Sequence, residues 1–359
     1  MPKKHKIGVA MSGGVDSSAA AVLLQKQGYA VFGITMVHYD SACRKASTAA
    51  EDARRVCQTL GIEHHVLSLK ADFKDRVINE FIHEYLSGRT PNPCVTCNRT
   101  IKWGILQQKA LELGADFMAT GHYVRLFEKH GRYQLMRSEN RDKDQSYALW
   151  RLTQPQLVHS MFPLEGLAKS RVREIAHDSG LDIAHKSESQ DVCFIPDDDY
   201  KRFLIETLRE RGQQVEPGEI VDMQGNVLGE HKGIPFYTIG QRKGLGIALG
   251  RPVYVVQIDA ENNRIRVGDH SDLLANGLHA EKTNWVSVKR PHPGIPVTAH
   301  IRYNDPGAAA VINDVSDSGF TLRFNTPRPS VTIGQSAVLY QDEVLIGGGI
   351  IDSSIKDTH

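Results

Sequence analysis

The stretch Met11-Ser12-Gly13-Gly14-Val15-Asp16-Ser17-Ser18 constrains this chain more than any other. It follows the apolar run Ile7-Gly8-Val9-Ala10-Met11, short enough for a buried strand. It precedes Ala19-Ala20-Ala21-Val22-Leu23-Leu24, which reads as a helix continuing to about Gly28. A strand, a Gly-Ser turn and a helix N-terminus make a phosphate cradle. Gly13 and Gly14 can take positive φ and let backbone N–H groups approach an anion closely. Ser12, Ser17 and Ser18 add hydroxyl donors, and the helix dipole favours negative charge there. Asp16 is expected to cap the helix or to help hold Mg²⁺ near the phosphates.

No Gly-Lys-Ser/Thr follows, so this is not a Walker loop, and the third glycine of the dinucleotide fingerprint is missing. The string resembles the pyrophosphate loop, S-G-G-x-D-S, of ATP pyrophosphatases. That resemblance implies cleavage of ATP between the α and β phosphates, with AMP activating a substrate oxygen.

The rest of the first part alternates strand and helix. Ala30 to Val37 reads as a second strand and His65 to Leu69 as a third. Ala46 to Leu60 is helical, with Ala49, Ala53, Val56, Cys57 and Leu60 on one face. Asp72 is expected to cap a helix that runs to about Leu86. A Pro-rich loop, a helix near Trp103 to Leu113 and the strand Phe117 to Thr120 follow. Arg132 to Leu135 looks like one arm of a hairpin, and helices are expected at Pro155 to Ser160, Lys169 to Ser179 and Asp199 to Arg211. Such alternation implies a doubly wound parallel sheet, with ligands bound outside the carboxyl ends of its strands. The glycine loop, Met36 and Gly121-His122 fall at those ends. Met36 either packs on an adenine or fills the core.

After about Gly212 short apolar runs alternate with Gly, Asp, Asn and Pro, and they read as β hairpins. Strand spacing from about Gly277 to Asp352 suggests a small barrel. Three domains are therefore expected: an α/β domain over 1–211, a small β-rich domain over 212–275 and a C-terminal β-barrel domain over 276–359. Between the hairpins, Thr238 to Ile247 carries three glycines with Arg242 and Lys243, which suits a mobile loop closing on a phosphate backbone or a plain connection.

Composition narrows the function. With a net charge of +1, the chain is not a wholly basic nucleic-acid binder, but charge is unevenly spread. From Arg99 to Arg173 there are 13 Lys/Arg against 7 Asp/Glu, an excess of +6. From Ser271 onward there are 7 against 9, an excess of −2. The basic stretch is either an RNA footprint or ordinary solvated surface. Five cysteines make no even disulfide framework, the basic start has no signal-peptide core behind it, and no run is long and apolar enough for a membrane helix. A cytoplasmic protein with no membrane partner is expected.

Arg89-Thr90-Pro91-Asn92-Pro93-Cys94-Val95-Thr96-Cys97-Asn98-Arg99 is the second informative stretch. Its prolines preset the loop, and Cys94 and Cys97 form C-x-x-C, which can be redox-active, metal-binding or merely packed. Cys193 lies in Ser189-Gln190-Asp191-Val192-Cys193-Phe194-Ile195. A four-cysteine zinc site would need Cys43 or Cys57, both from elsewhere, and Cys57 reads as core.

Taken with Gly121-His122-Tyr123, Lys143-Asp144-Gln145-Ser146-Tyr147 and Gly240-Gln241-Arg242-Lys243-Gly244-Leu245-Gly246, these motifs resemble the bacterial tRNA-specific 2-thiouridylase family in the same order along most of the chain. The resemblance implies an adenine nucleotide α-hydrolase-like first domain. It implies a sulfurtransferase that uses ATP and Mg²⁺ to adenylate the C2 oxygen of the wobble uridine in tRNAs for Lys, Glu and Gln. A persulfide, supplied by a cysteine desulfurase or sulfur-relay protein, then displaces AMP to leave 2-thiouridine. Position by position it implies that Cys193 carries the persulfide and that Cys97 closes a disulfide with it as sulfur leaves. Gly8, Val9, Ala10, Met11, Ser12, Gly13, Gly14, Val15, Asp16 and Ser17, with Met36 and Gly121, would bind ATP. Asn92, Pro93 and Cys94 would face the target base. His122, Lys143, Asp144, Gln145, Arg302, Tyr303 and Gln335 would contact tRNA.

The chain departs from the family at Cys94, where many members have an aspartate suited to acid/base work. Related thiolases with three cysteines use a [4Fe–4S] cluster, which here would fall on Cys94, Cys97 and Cys193. Two other readings compete: an amide-forming ATP pyrophosphatase, such as a lysidine-type synthetase, that would not need Cys193; and an RNA-binding protein with a structural metal at C-x-x-C, which would release no pyrophosphate.

Overall fold

Strand β1 (Lys6–Ala10) is apolar on both faces and lies at the centre of a parallel sheet. The computed structural model describes residues 5–39, 45–182 and 192–357. Cys43 and the stretch Ser189 to Asp191 lie outside them. By packing, the chain divides into two compact units. The first holds Met1–Val77, Cys94–Phe194 and Glu343–Leu345, and the second holds Ile78–Pro93, Ile195–Asp342 and Ile346–His359.

In the first unit β1 leads into α1 (Val15–Lys26), β2 (Ala30–Val37), α2 (Lys45–Leu60) and β3 (His64–Ser68). The helical run that follows starts as α3 (Lys70–Phe73), widens into a π-helical turn at Lys74–Ile78 and ends as α4 (Asn79–Leu86). Its N-cap is Leu69, with no side-chain cap, so Asp72 sits inside the first turn and does not cap it. The C-x-x-C is also helical. It forms α5 (Pro93–Cys97), continuous with a π-helical segment at Asn98–Leu106 and α6 (Gln107–Glu112). Pro93 opens the helix because its missing N–H and fixed φ cost nothing at a first position.

Next come β4 (Phe117–Ala119), the antiparallel pair β5 (Val124–Lys129) and β6 (Arg132–Arg137), α7 (Gln154–Leu157), β7 (Ser160–Met161) and α8 (Lys169–Asp178). The sequence implies a helix up to Ser160. Instead α7 stops at Leu157, and Ser160 and Met161 pair in parallel with Met118 and Ala119. The open edge of β4 outcompetes one more helical turn. Sheet order is β3-β2-β1-β4-β7, so the strand order reverses at β1. Crevices that bind ligands lie at such reversals. Helix α1 has no polar face: Ser17, Ser18, Ala19, Ala20, Ala21, Val22 and Leu24 are all buried. It is therefore an interior helix, packed on the sheet and on α8.

In the second unit Phe81 and Tyr85 of α4 pack on Phe203 and Tyr200 of α9 (Tyr200–Glu210). A four-stranded sheet follows, made of β8 (Gly218–Val221), β9 (Val227–His231), β10 (Tyr254–Asp259) and β11 (Arg264–Gly268), in the order β10-β11-β8-β9. Its two hairpins are joined by a parallel β11–β8 pairing, which alternation alone does not reveal. The last six strands are β12 (Leu274–Trp285), β13 (Pro296–His300), β14 (Ala308–Val315), β15 (Gly319–Pro329), β16 (Ser336–Gln341) and β17 (Val344–Ile355). They run β12-β15-β14-β13-β16-β17, and a β12–β17 pairing closes them into an antiparallel barrel, which removes every open edge. The α/β sheet and C-terminal barrel read from the sequence are both present.

Cys57 lies in the core, as its helical face implies, and burial pushes its thiol up to about 11. Its Sγ occupies the space above Gly33 of β2, where an added Cβ would stand 2.5 Å from the sulfur. Gly33→Ala is expected to lower stability by about 1–3 kcal/mol through overpacking. Cys57→Ala in the same chain should recover part of that loss. Urea unfolding midpoints of the two variants check both expectations.

Candidate active site

The carboxyl ends of β1, β2 and β4 converge on the N-terminus of α1. Gly8 and Val9 lie inside β1, buried and hydrogen-bonded into the sheet on both sides, so the exposed loop begins beyond them. Met11 is buried and its N–H donates to the Ile34 carbonyl at 2.8 Å. Gly13 turns at φ +70, and Gly14 is the N-cap of α1. No side chain caps this helix, so Asp16 is not the cap. The serines divide. Ser18 is fully buried and its hydroxyl donates back to the Gly14 carbonyl at 2.9 Å, which removes it from any ligand. Ser17 is buried too, with its hydroxyl 3.2 Å from that of Ser12, which is exposed at the loop tip.

Asp16 in the first turn of α1 is held by two groups from other elements. Lys169 Nζ lies 2.7 and 2.8 Å from its two oxygens, and the Tyr123 hydroxyl donates to Oδ1 at 2.7 Å. Gly121 passes so close that a Cβ would stand 2.7 Å from both the Asp16 carbonyl carbon and the Ser17 nitrogen. Only glycine lets the chain beyond β4 lie on the α1 N-terminus. Sequence reasoning missed Lys169 as a site residue. Its signal is a lysine in the first turn of α8, the positive end of a helix, where a cation is disfavoured.

At the end of β2, Met36 is half-buried, and the Thr35 hydroxyl donates to the Met11 carbonyl at 2.8 Å, tying β2 to the loop. The next residues carry chemistry that the sequence reading did not single out. His38 Nε2 is 3.3 Å from Cys193 Sγ. The His38 ring meets Phe73 at 4.7 Å, and Phe73 meets Phe194 at 5.7 Å.

Cys97 is buried on α5, and Cys94, one turn earlier, is exposed. Although 96 positions separate Cys97 from Cys193, both belong to the first unit, and each thiol enters the electrostatics of one cluster. Burial pushes Cys97 up to about 11, with Cys94 adding to the rise and Lys102 opposing it. Burial pushes Cys193 up to about 12, helped by Cys97 and Cys94 and opposed by Lys102. Burial also raises Cys94 against Lys102. Cys193 is solvent-accessible yet densely surrounded, as a thiol in a recess is. No disulfide joins the described cysteines. Lys102 is the cation common to all three thiols, and the sequence reading passed over it.

His122 stands past β4 with Nδ1 2.9 Å from the Thr120 hydroxyl and its ring 5.3 Å from Trp103. Burial, then Lys102, holds its pKa well below the usual imidazole value, so the ring is neutral at pH 7. The polar turn after β6 is internally satisfied. Asp144 Oδ1 accepts the Ser138 N–H at 2.9 Å, and its Oδ2 accepts the Ser146 hydroxyl at 2.8 Å. Gln145 Oε1 accepts the Tyr123 N–H at 3.1 Å. Asp144 and Gln145 thus shape the turn that carries Lys143.

Asn92, Pro93, Arg302, Tyr303 and Gln335 belong to the second unit. Arg302 and Tyr303 are exposed beyond β13. The Gln335 amide donates to the Thr90 carbonyl at 2.9 Å, and the Thr90 N–H donates to the Ile333 carbonyl at 2.8 Å. Gln335 therefore braces the chain just ahead of Asn92. In the loop from Thr238 to Ile247, Gly240, Gly244 and Gly246 all have positive φ, while Leu245 anchors it in the apolar core of the small sheet.

Comparison with known proteins fits this arrangement. Three family models match in sequence: a tRNA methyl transferase HUP domain over residues 5–197, a tRNA methyl transferase PRC-barrel domain over 203–269 and an aminomethyltransferase β-barrel domain over 275–351. The tRNA-specific 2-thiouridylase of Clostridium perfringens is 45% identical, with 98% of this chain and 99% of that protein covered. That of Halothermothrix orenii is 47% identical, with 96% and 98% covered. Among solved structures, a 4-thiouridine synthetase–RNA complex with bound ATP is 18% identical, with 57% and 51% covered and a TM-score of 0.36. With close to half its residues identical to theirs over nearly the full length, the chain belongs to the tRNA-specific 2-thiouridylase family.

Proposed function

We propose that the chain makes 2-thiouridine at the wobble position of tRNA by adenylation followed by persulfide transfer between Cys193 and Cys97. The observation that carries this reading is the placement of both cysteines in the unit that holds the glycine-serine loop. Adenylation makes a poor leaving group into a good one. The uridine O2 attacks the α-phosphorus of ATP, pyrophosphate leaves, and the C2 carbon becomes open to a sulfur nucleophile. The terminal sulfur of a Cys193 persulfide bonds to C2 as AMP departs. Cys97 then attacks the Cys193 sulfur. The bond to the transferred sulfur breaks with its electrons, leaving the thiocarbonyl on the base and a Cys97–Cys193 disulfide that a thiol reductant reopens.

The loop amides at Gly13 and Gly14, the exposed Ser12 hydroxyl and the α1 N-terminus suit the phosphates. Met36 and Gly121 border the nucleotide site. Lys169 is poised to exchange Asp16 for the charge that develops as pyrophosphate leaves. Asp16, a half-exposed carboxylate, has the hard oxygen donors that Mg²⁺ takes, and the ion would neutralise phosphate charge there.

For tRNA we assign contacts to His122, Lys143, Arg302 and Tyr303, and placement of the target base to Asn92, Pro93 and Cys94. Asp144, Gln145 and Gln335 support these contacts from behind. An anticodon base is unpaired and is cheap to turn out of its stack. Sulfur would come from a cysteine desulfurase or relay protein in a reducing cytoplasm. Among the described residues no helix is long and apolar enough to cross a membrane.

The three thiols, all acted on by Lys102, also have the chemistry of cluster ligands, which bind as thiolates. The persulfide route asks for one thiolate at a time. Cys193→Ala is expected to abolish thiolation while leaving tRNA affinity within about twofold, since a thiol contributes little to phosphate contact. About four irons per chain in anaerobically purified protein, lost on Cys94→Ser, would overturn the persulfide reading in favour of a [4Fe–4S] cluster. Lys169→Met should slow pyrophosphate release on the order of 10²-fold, the usual loss for one electrostatic donor. A tRNA-dependent pyrophosphate assay reads that change.

A further inference from the structure

His38 is the residue next after β2, at the carboxyl edge of the sheet. Aromatic contacts clamp both sides of its approach to Cys193. The His38 ring packs on Phe73 at 4.7 Å, Phe73 packs on Phe194 at 5.7 Å, and Tyr39 packs on Phe194 at 6.2 Å. Phe73 and Phe194 are buried. The residue beside His38 and the residue beside Cys193 thus share one aromatic wall, which fixes Nε2 3.3 Å from Sγ. Nδ1 is buried and meets no hydrogen-bond partner among the described residues, so Nε2 is the ring nitrogen that is engaged, and its partner is the thiol. In the tautomer protonated at Nδ1, the Nε2 lone pair accepts the thiol proton across this distance.

We propose that His38 is a further catalytic residue, whose Nε2 takes the Cys193 proton as Sγ attacks the outer sulfur of a donor persulfide. This rests on Cys193 as the persulfide carrier. The step balances. The donor S–S bond breaks, a new S–S bond forms on Cys193, and the donor leaves as a thiolate that receives the proton from His38. One thiol and one persulfide become one persulfide and one thiol, with no net oxidation. The surroundings supply the need. The other titratable groups acting on Cys193 are Cys97, Cys94 and Lys102, and burial keeps its thiol protonated at neutral pH. Burial, with Lys102, also lowers the His38 pKa, so the ring is a free base there.

The test is Cys193 alkylation by iodoacetamide at pH 7.5, followed by peptide mass mapping, with exposed Cys94 as the internal control. His38→Phe keeps a ring against Phe73 without a nitrogen. It should slow Cys193 labelling by about 10²-fold, the scale of a lost general base, and leave Cys94 unchanged. In His38→Ala, added imidazole should restore the rate. Equal Cys193 rates in wild type and His38→Phe, or slowing that imidazole does not rescue, overturns the proposal. Glutathione persulfide in place of iodoacetamide should load Cys193 with the same order of rates. Thiolation that survives in Cys193→Ala would remove the carrier reading, whereas the alkylation rates judge His38 without tRNA or ATP.

Discussion

The contact between Gly121 and the first turn of α1 is what the rest of the first unit depends on. A side chain at that position would collide with the Asp16 and Ser17 backbone. Because glycine leaves that space open, the chain leaving β4 lies directly on the helix N-terminus. Tyr123 then reaches Asp16, and His122 follows β4 at the same edge. The strand order, reversing at β1, makes this the crevice of the sheet. One missing methyl group thus brings the loop after β1 and the loop after β4 together, where the proposed nucleotide site lies.

Around this fixed point the charges are sparse and shared. Asp16 engages Lys169 and Tyr123, and in the proposed site phosphate would bring the negative charge in its place. Lys102 acts on His38, His122 and all three cluster thiols. It lowers each imidazole's affinity for a proton and eases each thiol toward its anion. The imidazoles stay unprotonated and the thiols become slightly easier to ionise, which is the direction the proposed sulfur transfer requires.

Much of this was legible in the sequence where local physics decides. The apolar β1, the glycine turn and the alanine-rich α1 announced strand, cradle and interior helix, and regular spacing announced the barrel. What escaped depended on partners far along the chain. Ser160 and Met161 form a strand only because β4 offers an edge. The C-x-x-C reads as a loop because prolines surround it, yet Pro93 is an ideal helix opener. Asp16 and Asp72 look like caps by residue type, but tertiary contacts claim the first and the second lies inside its turn. His38 carries no motif; its meaning appears only when Cys193, 155 residues away, is beside it.

The protonated state that burial imposes on the thiols has a consequence for the life of the enzyme between turnovers. Thiolates attack peroxide and stray disulfides far faster than thiols do, so a sulfur held as a thiol is slow to be lost to sulfenic or sulfinic acid. The recess that makes Cys193 a reluctant nucleophile also preserves it. In the proposed persulfide transfer, that reactivity is released when a base stands next to it and a sulfur donor is in place.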